Sequence, residues 1–81
     1  MKTQITPALR DNLDSVKKDL GKRWLVIRKP WMRTLDMVIK SYKLSHLDAA
    51  EMLAQVAVKK RQPQSVRYIF AAAVEILEGK A

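Results

Sequence analysis

The chain has 81 residues, enough for one domain spanning 1–81 with a lean core, since two domains would leave neither part enough interior to bury. Hydrophobic residues make up 48% of it, which excludes a disordered basic tail, and the absence of cysteine excludes a disulfide framework and thiolate metal ligation. Sixteen Lys plus Arg against eight Asp plus Glu give a net charge of +8, so the expected partners are anionic: nucleic acid, an acidic protein surface or an anionic membrane.

Charges at Lys2, Arg10, Asp11 and Asp14 come too early and too often for the apolar stretch of a signal peptide, and no segment approaches membrane-spanning length. A reducing cytoplasm is the expected compartment. A chain this small also sits where dimerisation commonly recovers burial, so a homodimer is among the expected states.

Thr6 before Pro7 reads as a helix start, with threonine capping free amides and proline at the first helical position. Ile5, Leu9, Leu13, Val16 and Leu20 recur at three- and four-residue steps, predicting a first helix that Gly21 ends. Its polar face carries Arg10, Asp11, Asp14, Lys17 and Lys18, with Asp14 and Lys18 at ion-pair spacing.

From Lys22 to Arg33, basic residues surround Trp24, Leu25, Val26, Ile27 and Trp31. That apolar run is too short for periodicity to type, and strand, connector and helical extension all fit. The expectation is a helical domain without a sheet; a strand at Trp24 to Arg28 would have to pair across a dimer axis. Pro30 is expected to open the next helix, with a stripe of Trp31, Leu35, Val38 and Tyr42 broadened by Met32 and Ile39, ending near Lys43.

Ser45 offers a cap, with Asp48 three residues on and Glu51 in the favourable charge field. The helix it starts is apolar around most of its circumference, leaving a polar strip of Asp48, Glu51, Gln55 and Lys59, and is expected to be the central one. Lys59, Lys60, Arg61, Gln62 and Pro63 close it and form a basic corner. Val66, Ile69, Phe70, Ala73 and Leu77 then predict a last helix stopped by Gly79. The fold class is therefore an all-α bundle of about four helices, with at most one short extended segment near Trp24 to Arg28.

Two surfaces are candidates for function. At the basic corner, Lys59, Lys60 and Arg61 adjoin Gln64, Ser65 and Arg67 at the start of the last helix, where free amides suit phosphate and first-turn side chains are placed to enter a groove. The competing reading is that these cations only complement the dipole of the preceding helix. The second surface comprises Arg23, Arg28, Lys29 and Arg33, in a stretch with interspersed aromatics. Trp31 and Tyr42 belong to a helical stripe and read as core, leaving Trp24 as the exposed aromatic.

The segments Ala49 to Ala54 and Ser65 to Ile69 resemble the two helices of a helix-turn-helix DNA-binding unit, which implies a recognition helix at Ser65. The segment Gln55 to Gln64 departs from that pattern in being long and lacking glycine. Trp24 to Arg28, Pro30, Leu35-Asp36 and Ser45 fall in an order similar to ribbon-helix-helix repressors, which implies a base-reading strand. Here Trp24, Leu25, Val26 and Ile27 place apolar groups on both faces instead of alternating.

Enzyme readings find little. His46 is the sole histidine and has no base or metal partner evident in the sequence, and the pairs Asp11/Asp14, Asp48/Glu51 and Glu75/Glu78 read as solvent-facing capping charges. Gly21 and Gly79 are the only glycines, so there is no phosphate-cradling loop. The expected function is that of a small accessory or regulatory protein binding nucleic acid, DNA foremost, through phosphate contacts, with neither chemistry nor a cofactor of its own. Its rival is a helical interaction module or inhibitor, with a homodimer among its expected states, docking on an acidic partner protein.

Overall fold

In the computed structural model, which describes residues 5–79, α1 (Pro7–Leu20) starts where the sequence places it. Thr6 Oγ1 accepts the Leu9 N–H at 3.2 Å, and Pro7 fills a first-turn position that has no use for an N–H. Gly21 closes the helix at φ +56, a conformation that side chains disfavour, and donates its N–H to the Lys17 carbonyl at 2.8 Å. Lys2 lies outside the described residues.

α2 (Arg23–Tyr42) begins almost at once, the N–H groups of Trp24 and Leu25 donating to the carbonyls of Gly21 and Lys22 in a tight first turn. Trp24 to Arg28 is thus the opening of this helix, and the described residues contain no strand. That removes the basis of the ribbon-helix-helix resemblance and of strand pairing across a dimer axis. Pro30 lies inside α2 instead of opening a helix. Its missing N–H deprives the Val26 carbonyl of its helical donor, a loss tolerated because Val26 is 70% exposed and water can serve that oxygen. Tyr42, expected in the core, is 61% exposed at the helix end.

Lys43, in the left-handed region at φ 56, ends α2, with the Leu44 N–H returning to the Ile39 carbonyl at 3.2 Å. Ser45 Oγ then accepts the Asp48 N–H at 3.1 Å, capping α3 (His46–Lys59) as the sequence predicts. His46, on the first turn of α3, is partly buried. A five-residue connection, 60–64, leads to α4 (Ser65–Leu77).

α2 and α4 each touch all three other helices, but α4 packs far more extensively against α1 and α3, so it holds the central place expected of α3. Ile69 and the run Ala71 to Val74 are fully buried, whereas α3 leaves Val56 and Val58 exposed and Leu53 only half-buried. The α1 contacts show how α4 crosses. Arg67 near its start meets Asn12, Ser15 and Asp19, while Glu75 and Glu78 near its end meet Lys17 and Arg10. At about 100° per residue those two sets lie on opposite flanks of α1. α4 therefore passes steeply beneath Leu13 and Val16, both wholly buried, and its short alanine side chains allow the close approach.

Candidate nucleic-acid interface

The basic corner is built by the way α3 ends. The Gln62 N–H donates to the Ala57 carbonyl at 2.8 Å and the Arg61 N–H to the Val58 carbonyl at 3.0 Å, a paired closure that requires a left-handed residue at Arg61. Arg61 takes that conformation at φ 60, where glycine would be the easier residue. Lys59, Lys60 and Arg61 are all exposed, and none forms an ion pair among the described residues. Gln64 is exposed beside them and Ser65 half-buried. A shallow groove of about 380 Å³, lined by Ala54, Gln55, Val58, Lys59 and Val66, runs along the same corner.

Arg67 is set apart from this group. Its Nη2 donates to Ser15 Oγ at 3.0 Å and to Asp19 Oδ2 at 2.8 Å, and its guanidinium carbon lies 5.9 Å from the centre of the Tyr68 ring. It binds α4 to α1, a role invisible in local sequence because its partners lie far away in the chain. The glycine-free connection 60–64 also distinguishes this α3–α4 pair from the tight turn of the helix-turn-helix units it resembles.

The second set divides. Arg23, Lys29 and Arg33 are exposed and without an ion pair among the described residues. Arg28 turns inward, Nη1 reaching Glu75 Oε1 at 2.7 Å. The Trp24 indole N–H donates to the same oxygen at 3.2 Å, and Lys17 Nζ stands 3.9 Å from Oε2. Trp24 is only 1% exposed, so it is core and not a stacking surface, and Glu75, expected at the surface, is 4% exposed. Glu78 is half-buried and paired with Arg10 at 2.7 Å. Asp14 faces Arg10 at 4.0 Å in place of Lys18.

Because α2 runs unbroken through Pro30, Lys22, Val26, Lys29, Arg33, Met37 and Lys40 recur at three- and four-residue steps and share one exposed face about 27 Å long. Among the described residues, Lys40 alone on this face has an acidic partner, Asp36 at 3.2 Å, itself exposed. Sequence reasoning missed this stripe because a helix start assigned to Pro30 cuts it in two. It missed Glu75 as well, although a carboxylate directly following Ala71-Ala72-Ala73-Val74 is itself a signal: an acid inside a buried run requires a cation.

Among the described residues no helix is long and apolar enough to cross a membrane. No protein-family model matches the chain, and no curated protein or solved structure shows significant similarity to it.

Proposed function

We propose that this protein binds nucleic acid, DNA foremost, through phosphate contacts at the basic corner, as a small accessory or regulatory protein acting by binding without chemistry. The observation that carries this is the state of Lys59, Lys60 and Arg61: three consecutive cations, exposed, without an acidic partner among the described residues, the last in a strained left-handed conformation. Cations that stabilise this fold, Arg10, Arg28 and Arg67, each contact a carboxylate, whereas these three do not. Lys22, just before α2, and Arg23, Lys29 and Arg33 on it provide a second exposed basic surface, and the apolar floor beside Lys59 suits a base face or a thymine methyl. Arg67, grouped with Gln64 and Ser65 for groove contact, drops out, because contact with DNA would first require breaking its bonds to Ser15 and Asp19.

The test is binding to duplex DNA, single-stranded DNA and RNA across a salt series. Each phosphate contact adds about 0.9 to the slope of log affinity against log salt on duplex. Replacing Lys59, Lys60 and Arg61 together by alanine lowers that slope by about two to three units while the helical spectrum stays unchanged. An unaltered slope refutes the assignment.

A second reading has its own observation. Leu25, Val26, Met37 and Tyr42 on α2 are exposed among the cations, a mixture that fits docking on an acidic protein surface. Absence of nucleic-acid binding at moderate salt, with Val26→Glu abolishing capture of an acidic partner protein, favours it.

A further inference from the structure

At the junction of α1, α2 and α4 lies an open cleft of about 450 Å³, lined by Lys17, Gly21, Lys22, Trp24, Leu25, Arg28 and Glu75. Its volume falls in the range of small-ligand sites. The acid at its base is already engaged: Glu75 Oε1 accepts from both Trp24 and Arg28, and Oε2 faces Lys17. It therefore acts on the cations more than on the cleft, fixing Arg28 and drawing Lys17 inward. Lys17, Lys22 and Arg28 against one carboxylate leave two positive charges, and only one guanidinium nitrogen of Arg28 is committed, leaving most of its five N–H donors for another acceptor. Lys22 has no ion pair among the described residues, and the wall at Gly21 is open, since a Cβ there would meet nothing within 4 Å.

We infer that this cleft binds a phosphomonoester dianion, with Lys17, Lys22 and Arg28 supplying the donors and Glu75 positioning them. Two residual charges match a group that carries nearly two negative charges above about pH 7, and a planar guanidinium beside flexible ammonium groups is the usual donor set for phosphate oxygens. A monoester is available from two sources, the end of a nucleic-acid strand or a small phosphorylated metabolite. The site shares Lys22 with the second basic surface but none of the residues of the basic corner, on which the nucleic-acid proposal rests.

The experiment is a titration of the whole protein followed by amide chemical shifts, with sodium phosphate against sodium chloride at matched ionic strength. Saturable shifts confined to Lys17 and Gly21 to Arg28 are expected. Lys17→Gln and Lys22→Gln, both at exposed positions, each weaken phosphate binding by about threefold and together by about tenfold, whereas Lys60→Gln leaves it within about twofold. Shifts that grow linearly, spread over all basic surfaces or persist in the double variant overturn the inference. A 5′-phosphorylated oligonucleotide preferred over its 5′-hydroxyl twin identifies a strand end as the source. Adenosine monophosphate binding as tightly as that oligonucleotide identifies a small metabolite. Equal binding of the two oligonucleotides together with no response to inorganic phosphate again overturns the site. Loss of duplex binding in the Lys59, Lys60 and Arg61 variant leaves this titration unchanged, so the two proposals fail separately.

Discussion

Arginine has opposite uses at the two ends of α4. Toward its C-terminal end Arg28 reaches a carboxylate that is 4% exposed, and the contact joins α2 to α4. Before its N-terminal end Arg61 contacts no acid among the described residues and occupies a backbone conformation that glycine would fill more easily. The first arginine contributes to the fold. The second adds local strain to it, and that strain is part of what motivates the contact proposed for this corner. Counting charges along the chain does not separate the two; their partners do.

The comparison breaks most visibly if α4 is not central. Ile69→Asp places an unpaired carboxylate where nothing is exposed, at several kcal/mol, comparable with the whole stability of a small domain, and should abolish cooperative melting. Leu53→Asp on half-buried α3 should retain a melting transition at a lowered midpoint. Equal damage from both would restore α3 to the centre.

Arg28→Ala comes next. It leaves Glu75 buried with only Lys17, 3.9 Å away, and the indole N–H for company, and breaking such a pair from one side costs up to about 3 kcal/mol. The melting midpoint should fall by up to roughly 12–24 °C, since each kcal/mol moves a domain of this size by about 4–8 °C. An unchanged midpoint would mean that the Glu75 cluster is not structural. By contrast, the triple alanine variant of Lys59, Lys60 and Arg61 should melt within about 0.5 kcal/mol per substitution of the parent, as surface changes do, while losing salt-dependent DNA affinity.

The smallest effect has the most informative sign. Arg61→Gly relieves the left-handed strain and should stabilise by about 0.5–1 kcal/mol, while weakening DNA binding by the loss of one cation. Denaturant midpoints and a shift assay on the same preparation read both. A variant that is destabilised, or that binds as well as the parent, removes Arg61 from the interface.

Much of the local structure was legible beforehand. Thr6, Pro7 and Gly21 bounded α1, and Ser45 marked the start of α3, because caps and stops act over three or four residues and their chemistry is contained in the sequence around them. The corner of Lys59, Lys60 and Arg61 was legible for the same reason. Pro30 misled because a proline only weakens a helix locally, and the remaining turns of α2, held by Trp24, Leu35 and Val38 in the core, outweigh one missing hydrogen bond.

The sequence by itself determined that this chain forms helices, where most of them begin and end, and that its surface is strongly basic, since propensity, capping and net charge are properties of neighbouring residues or of simple sums. Only the tertiary structure decided which helix is central and which cations are free. Trp24 and Glu75, 51 residues apart, share a hydrogen bond, and Arg67 finds Asp19 at a separation of 48. Such pairings depend on how α4 crosses beneath α1 and beside α2, and no periodicity within a single helix encodes a crossing angle. The same packing turned Trp24 from a surface aromatic into core, and made Arg28 and Arg67 fasteners of the fold.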